Sequence, residues 1–400
     1  MSTAAGRRLL VLGAGHFQIP VIRRGKELGC QVIAMDYLPD NPGHRLADES
    51  LCISTVDVEA VVAAAKNLGI DGVLTYGSDV SAPTVTVVAE ALGLPGNPST
   101  AGRILQRKDL FRAFQNSTGL PHPPFTAARR AADLQRGARH LRFPLIVKPA
   151  DSSGSKGQSL VSSSEEVAVA FELAMPFSRC GVVVAEEVLV EDLPELVGDV
   201  WISSGVLSFR QYGHNYFTTS KPIRVPVGEI VPGTFSRDVT CELDRQLAIL
   251  ISGLGLRCGC LNFDGMVAGG EVYLLDIGLR NGGNFLPELI ELSTGFDLTA
   301  AAIHSALGTP FSTPAAIEER PALSYVLGAR QAGILRSIEI ADTLRPHLAR
   351  QTFFTSIGSR VEPFTRGDRA LGVLFFTFPT ADDAVLAATT LSEAIRVVVE

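Results

Sequence analysis

Apolar positions in the first hundred residues follow two alternating spacings. Short unbroken apolar runs, RLLVLG (8–13) and CQVIAMD (30–36), are typical of buried strands. Between and after them, IPVIRRGKELG (19–29) and VEAVVAAAKNLG (58–69) place apolar residues at helical spacing. This order of strands and helices predicts a parallel sheet with helical crossovers.

The remainder of the chain predicts further α/β structure. A second unit starts at FPLIVKP (143–149). A paired set of strand patterns, CLNFDGMVAGGEVYLLDIG (260–278), predicts a hairpin that turns at Gly269 and Gly270. The last segment combines strand patterns with a predicted helix, DDAVLAATTLSEAIRVV (382–398), and predicts a small separate lobe over residues 315–400.

Length and composition limit the class of protein. A chain of 400 residues exceeds the size of one hydrophobic core, so we expect two to four subdomains. Its net charge of −7 argues against non-specific binding to nucleic acid. No apolar run has the length of about 18 residues that a membrane span needs, so we expect a cytoplasmic protein. The six cysteines include no Cys-x-x-Cys pair, which argues against a zinc site.

The lysines are few, and their positions are informative. The chain has six lysines among 35 basic residues. Lys148 ends an apolar strand, where a charge is costly unless it meets an anion. The loop that follows, from Ser152 through Ser153, Gly154, Ser155 and Lys156 to Gly157, has small residues whose amide groups can close around phosphates. The alternative is a flexible hairpin whose lysine extends to water.

Carboxylates mark two further segments. In VVVAEEVLVEDLPE (182–195), backbone groups near Glu187 to Leu189 are placed to meet an adenine edge, with Glu191 or Glu195 as acceptor for ribose; a solvated acidic loop is the alternative. In the predicted hairpin, Asp264 and Asp276 lie near facing strand ends, where two carboxylates repel unless a cation separates them. Oxygen ligands without His or Cys indicate Mg²⁺, unless the hairpin is simply exposed.

Two other features flank this chemistry. Arg280 follows Asp276 within the sequence RNGGN, and its planar guanidinium suits a phosphate or carboxylate. Near the N-terminus, Gly13 and Gly15 follow the first strand, but the third glycine of a dinucleotide-binding turn is missing. These glycines are consistent with either a tight turn or an anion-binding site.

Together these segments resemble the ATP-grasp superfamily. The resemblance consists of a lysine strand with a glycine loop, an acidic hinge, and paired acidic strands followed by an arginine, in this order. It covers nearly the whole chain. It implies an α/β protein with an ATP-grasp fold, preceded by an α/β domain like that of the purine-biosynthetic carboxylase subunit and of the carbamoyl-phosphate synthetase and biotin carboxylase group. The implied domains are residues 1–100, 101–314 with a nucleotide-binding lid at 145–198, and a C-terminal lobe at 315–400.

The resemblance also implies roles for individual residues. Arg280 matches the arginine that steadies a phosphate or an intermediate. The matching metal carboxylates are Asp264 and Asp276. The positions that match nucleotide-binding residues are Lys108, Lys148, Ser153, Gly154, Ser155, Gly157, Glu186, Glu187, Leu189 and Glu195. One position departs from the family's usual Glu-x-Asn-Pro-Arg: Gly278 stands where a metal-binding asparagine is expected, so Asn281 or Asn284 is a candidate replacement.

The implied reaction uses ATP and Mg²⁺ to convert a carboxylate into an acylphosphate, which an amine then attacks. We expect both small substrates to bind between the N-terminal domain and the metal hairpin, possible homodimer formation, and no nucleic-acid or membrane partner. Three alternatives stay open: a bicarbonate-dependent carboxylase, an ATP-binding regulator without catalysis, which Gly278 suggests, and a nicotinamide dehydrogenase, which rests only on the incomplete glycine turn.

Overall fold

The computed structural model describes residues 3–152, 154, 156–217, 226–365 and 367–400. Its N-terminal domain is a parallel sheet in the strand order β3-β2-β1-β4, with helices as crossovers, as the alternating pattern predicts. The elements are β1 (Arg8–Leu12), α1 (Ile19–Glu27), β2 (Gln31–Met35), α2 (Pro42–Leu46), β3 (Glu49–Leu51), α3 (Val58–Leu68), β4 (Gly72–Thr75) and α4 (Ala82–Leu92).

A second unit has a four-stranded antiparallel sheet in the order β5-β8-β6-β7. Two helices lead into it and two pack on it through apolar residues such as Leu134 and Phe171. The elements are α5 (Ser99–Gln106), α6 (Lys108–Thr118), β5 (Phe125–Ala128), α7 (Ala131–Ala138), β6 (Leu145–Pro149), β7 (Ser159–Val161), α8 (Glu166–Ala174) and β8 (Val183–Glu187).

The third unit contains an eight-stranded sheet, in the order β13-β12-β9-β10-β11-β14-β18-β16, and a three-stranded sheet, β17-β15-β19. The predicted hairpin is present, with Gly269 and Gly270 both at positive φ between its strands. The elements are β9 (Leu196–Ser203), β10 (Val206–Phe217), β11 (Pro226–Val231), α9 (Arg237–Gly253), β12 (Gly259–Ala268), β13 (Glu271–Gly278), α10 (Leu286–Thr294), α11 (Leu298–Leu307), β14 (Ala322–Leu327), β15 (Gly333–Ile340), β16 (Leu348–Phe353), β17 (Arg360–Val361), β18 (Gly372–Thr377), α12 (Ala381–Ala394) and β19 (Ile395–Val399).

The C-terminal segment differs from its prediction in two ways. Strands β14, β18 and β16 extend the eight-stranded sheet, so this segment is continuous with the hairpin unit and is not a separate lobe. The predicted last helix ends at Ala394, and the β-branched residues from Ile395 onward form β19, which pairs with β15. Within the described residues, no helix is long and apolar enough to cross a membrane.

Candidate nucleotide and metal site

Lys148 is placed by the antiparallel pairing of β6 with β8. Its Nζ lies 2.6 Å from Oε2 of Glu186, and the other oxygen of Glu186 accepts a hydrogen bond from Arg112 Nε at 3.0 Å. Burial raises the pKa of Glu186, but these two cations lower it by more, and the net result is a pKa of about 2. Burial lowers the pKa of Lys148, in spite of its contact with Glu186. One carboxylate therefore holds the predicted nucleotide lysine in place.

Arg112 is a site residue that the sequence analysis missed. Its side chain is fully buried, and Nη2 donates to the carbonyl of Leu275, next to the metal hairpin's Asp276. The spacing could have indicated it, because Arg112 follows Lys108 by four residues on α6 and so lies on the same helix face. Arg112 on α6 therefore contacts both β8, which carries Glu186, and β13 of the hairpin.

Lys108 links the glycine loop to the hairpin. Its Nζ lies 3.1 Å from Asp276 Oδ2 and donates to the carbonyl oxygen of Ser152 at 3.0 Å. Burial lowers the pKa of Lys108, but Asp276 and Glu186 together outweigh burial and the net shift is upward. Burial raises the pKa of Asp276, but Lys108, Lys148 and Arg112 together outweigh burial and the net shift is downward. The two predicted nucleotide lysines thus converge with a predicted metal carboxylate.

Asp264 is the cross-strand partner of Asp276, because the register of the hairpin shifts by one residue between Asp264 and Gly265. Burial, then the charges of Glu195 and Asp276, raise the pKa of Asp264 to about 8. Asn215 Nδ2 lies between the carboxylates of Asp264 and Glu195, at 3.4 Å from Asp264 and 3.2 Å from Glu195. Glu195 therefore lies beside the metal carboxylates.

These carboxylates fit a divalent cation. Within the described part of the chain, no Lys or Arg forms an ion pair with Asp264, and a cation beside Asp264 would stabilise its charged form, which burial disfavours. Among the described residues, no group of three or more His, Cys, Asp or Glu side chains that could hold a metal ion is found, so a cation at Asp264 and Asp276 would need further ligands. Oxygen ligands of this kind, supplemented by phosphate oxygens, suit Mg²⁺.

The hinge side chains are engaged with the protein. Glu187 accepts from the amide and from Nε of Arg142, both at 2.9 Å, and its own amide donates to the Pro124 carbonyl. Leu189 is half-buried just beyond β8. The carboxylates of Glu186 and Glu187 are thus both engaged in ion pairs, and contacts of this hinge with an adenine stay a prediction.

The glycine loop is described in part. Gly154 and Gly157 have positive φ values of 68° and 71°, which favour glycine. Gly157 also lies close to Phe177, which a Cβ atom would approach to 2.7 Å. The two predicted contacts Ser153 and Ser155 lie outside the described residues.

The side chain of Asn281 contacts the start of another helix, and its assignment as a metal ligand stays a prediction. Its side chain is buried, and Nδ2 points to the carbonyl oxygen of Leu298 at 3.5 Å, at the start of α11. The backbone of Asn281 pairs with Tyr76 of the N-terminal domain, which turns its side chain toward the domain contact. Asn284 lies instead near Glu229, the pKa of which rises to about 8, chiefly through burial.

Arg280 is held by residues that the sequence analysis did not select. Its Nε and Nη2 lie 2.7 and 2.6 Å from Asp79 Oδ1, and Nη1 donates to Asn262 Oδ1 at 2.5 Å. Asp199, fully buried, accepts from Asn262 Nδ2 and from the amide of Gly282. Asp79 follows β4 in sequence, and a carboxylate at that strand end is the signal that could have indicated it.

The strand order predicts a crevice where β1 and β4 end. The chain leaves β1 toward β2 on one side and later returns to β4 on the other side of β1. Open α/β sheets bind ligands at such a point, where the strand order reverses. The turn containing Gly13 and Gly15 contacts the end of β4, because Gln18 Nε2 donates to the Tyr76 carbonyl. The amide of Gly77 donates to the Asn281 carbonyl at 3.3 Å, so the crevice faces the loop after the hairpin.

Comparison with known proteins places this site in a family context. The family model for the ATP-binding domain of the carbamoyl-phosphate synthase L chain matches residues 107–195, which include both lysines and the hinge. The chain has the ATP-grasp fold. Its structure superimposes on phosphoribosylglycinamide synthetase from Anaerococcus prevotii with a TM-score of 0.81, at 22% identity over 99% of this chain and 100% of that chain.

Two further ATP-grasp comparisons cover the full length. An L-amino acid ligase from Bacillus licheniformis also gives a TM-score of 0.81, at 20% identity over 99% of both chains. In sequence, the chain is 26% identical to a formate-dependent phosphoribosylglycinamide formyltransferase of Bordetella pertussis over 98% of this chain and 95% of that protein. These comparisons confirm the predicted fold, and they agree with the predicted enzyme class, an ATP-dependent ligase.

Proposed function

We propose that the protein is an ATP-dependent ligase that activates a small carboxylate as an acylphosphate and couples it to an amine. The observation that carries the proposal is the convergence of Lys108, Lys148 and the Asp264–Asp276 pair at one place. Two lysines suit a polyphosphate, and facing carboxylates suit the cation that accompanies it. The activities named for the relatives, amino acid ligation and formate-dependent formyl transfer, support the same class.

The residues divide the work in the following way. Lys148 and Lys108 bind and orient the phosphates of ATP, while the hinge at Glu187 to Leu189 receives the adenine. Asp264 and Asp276 hold Mg²⁺, which when bound offsets the charge that develops on the phosphates. The substrate carboxylate attacks the γ-phosphorus and ADP leaves. The amine nitrogen then attacks the acyl carbon, phosphate leaves, and the nitrogen loses a proton.

The crevice at the ends of β1 and β4 is the proposed site for the amine. It adjoins the loop that carries Arg280, so an amine bound there reaches an acylphosphate formed at the metal hairpin. The incomplete glycine turn at Gly13 and Gly15 is then a substrate-binding turn, not a nicotinamide site. Cytoplasmic location and dimer formation stay predictions.

A substrate screen tests this function. Purified protein with MgATP is incubated with formate, bicarbonate or amino acids, each with a panel of amines that includes phosphoribosylglycinamide, and phosphate and products are measured. We expect phosphate release that needs both substrates, and transfer of one oxygen-18 atom from the labelled carboxylate to phosphate. A product that carries labelled bicarbonate would favour the carboxylase alternative. ATP binding without phosphate release from any pair would favour the regulator.

A further inference from the structure

Arg280 is held in one orientation by groups on three sides. Nε and Nη2 both contact Asp79 Oδ1, and Nη1 contacts Asn262 and the carbonyl oxygen of its neighbour Asn281 at 3.0 Å. Only 10% of its side chain is exposed. An arginine fixed in this way presents its guanidinium at a defined place, because little rotamer freedom remains.

The main partner of Arg280 belongs to another domain. Asp79 lies 201 residues earlier in the chain, just after β4 and at the edge of the proposed amine crevice. It is the charged link of a contact that also includes the backbone bonds from Tyr76 and Gly77 to Asn281. The N-terminal domain therefore determines where Arg280 lies relative to the metal hairpin.

Gly278 explains why this pair can form here. A Cβ atom at position 278 would lie 2.7 Å from Asp79 Oδ1 and 2.9 Å from Arg280 Nε, closer than van der Waals contact allows. The backbone of Gly278 does not have positive φ, so a left-handed conformation is not what requires glycine. The space above Gly278 is occupied by the Asp79–Arg280 pair, in the place where the family resemblance leads one to expect an asparagine side chain.

We propose that Asp79 is a positioning residue that fixes Arg280 beside the metal carboxylates, and that Gly278 is the residue that makes room for this pair. The proposal rests on the proposed function, since Arg280 acts there on the phosphate or the acylphosphate. A small cleft lies next to the pair, and Lys108 and Asp276 line it together with Asp79 and Gly278. The pair thus lies at the wall of a cleft that reaches the phosphate-binding lysine.

The test compares Asp79→Asn, Gly278→Ala and Arg280→Ala with the wild type. Turnover is measured with the carboxylate and amine pair that releases phosphate fastest, and MgADP binding is measured by calorimetry. We expect all three variants to bind MgADP within about twofold of the wild type and to lose at least about tenfold in kcat, because small misplacements of a catalytic group are costly. The Asp79→Asn, Arg280→Ala double variant should be hardly worse than Arg280→Ala, since the two residues act as a unit. Asp79→Glu should recover part of the loss.

A matched control and a direct structural measurement complete the test. Asp71→Asn removes another aspartate that pairs with an arginine in the same domain, Arg7 at 3.0 Å, and should keep full kcat. The ¹H–¹⁵N signal of Arg280 Nε–H is identified by its loss in Arg280→Lys. Its proton should exchange with water at least about tenfold faster in Asp79→Asn and Gly278→Ala than in the wild type.

The outcomes separate this inference from the proposed function. If Asp79→Asn keeps full kcat while Arg280→Ala loses it, or if the Arg280 resonance is unchanged in both Asp79→Asn and Gly278→Ala, the positioning role is overturned and the ligase function stands. If Arg280→Ala itself turns over at the wild-type rate, the role of Arg280 in the proposed function fails. If the wild type shows no turnover with any pair, the resonance measurement still decides whether Asp79 holds Arg280.

Discussion

Lys148 and Glu186 lie on neighbouring antiparallel strands with Nζ and Oε2 2.6 Å apart, and Arg112 contacts the other oxygen of the same carboxylate at 3.0 Å. One buried anion thus separates two cations that would otherwise repel each other. This arrangement holds a lysine at the strand end, ready for a polyphosphate, before any nucleotide binds. Removing any one of these three side chains would leave an uncompensated buried charge and destabilise the fold.

The Lys148 ammonium should be needed for nucleotide affinity. Lys148→Ala removes a cation at the proposed phosphate site, and we expect MgATP to bind at least about tenfold more weakly, which corresponds to about 1.4 kcal/mol. Titration calorimetry measures this directly. Lys66→Ala, which changes an exposed lysine on α3, is the control and should leave affinity unchanged. Equal affinity of Lys148→Ala and wild type would remove Lys148 from the nucleotide site.

Glu186→Gln should destabilise the protein, and the effect should depend on pH. The pKa of Glu186 falls to about 2 from an ordinary 4.5, so the folded state binds fewer protons than the unfolded state between these values. The resulting stabilisation, of about 3 kcal/mol, is present above pH 4.5 and is lost as the pH falls toward 2. Urea unfolding at pH 7 should show a loss of about 3 to 5 kcal/mol for the variant, and the loss should shrink in acid.

An exposed glutamate gives the comparison for this measurement. Glu49 pairs with Arg8 at 3.0 Å and its side chain is 38% exposed. Glu49→Gln should therefore cost less than about 1 kcal/mol, as is usual for surface ion pairs. A similar small cost for Glu186→Gln would contradict the structural role of the buried cluster.

The metal assignment predicts which side chains set the Mg²⁺ requirement. Asp264→Asn and Asp276→Asn should each raise the Mg²⁺ concentration for half-maximal phosphate release by at least about tenfold, and the double variant should be hardly worse than either. Asn281→Ala should leave that concentration unchanged, because Asn281 points to Leu298. Magnesium titrations of turnover in the four variants measure this. A raised requirement in Asn281→Ala alone would instead identify Asn281 as a metal ligand.

Glu288 should make the protein less stable as the pH rises. Its Oε1 accepts from Tyr76, Oε2 is buried without a hydrogen-bond partner, and burial raises its pKa to about 7. Between about pH 4.5 and 7 the folded state binds more protons than the unfolded state, so stability falls by about 3 kcal/mol over this range. Urea unfolding of Glu288→Gln should lose this slope, whereas Glu27→Gln, at an exposed position, should keep it. Parallel pH profiles for the wild type and Glu288→Gln would refute the assignment.

The sequence was informative where local pattern determines structure. Apolar spacing identified the strand and helix order of the N-terminal domain, and the two glycines identified the hairpin turn. The register of that turn alone would place Asp264 opposite Leu275, and a register shift between Asp264 and Gly265 brings Asp276 there instead. The orientation of Asn281 was not predictable, because it follows from a backbone pairing with Tyr76, more than two hundred residues away. Sequence spacing carries no information on such a contact.

The residues that were missed share one property. Arg112, Asp79 and Asp199 support selected residues from other elements, and their importance depends on tertiary packing. Gly278 appeared as a missing ligand in the sequence, and only the positions of Asp79 and Arg280 give it a physical reason. Motif analysis therefore found the groups expected to meet ATP more readily than those that orient them.

The continuous sheet joins the end of the chain to the unit that carries Asp264 and Asp276. Strand β14 pairs with β11 through Val231 and Ala322, and Ser324 on β14 accepts from the amide of Glu229, which lies within electrostatic reach of Asp264. Cutting the chain between residues 314 and 322 would not release an independent module. It would leave the hydrogen-bonding edge of β11 open to pairing with other molecules, and aggregation of the truncated protein would follow.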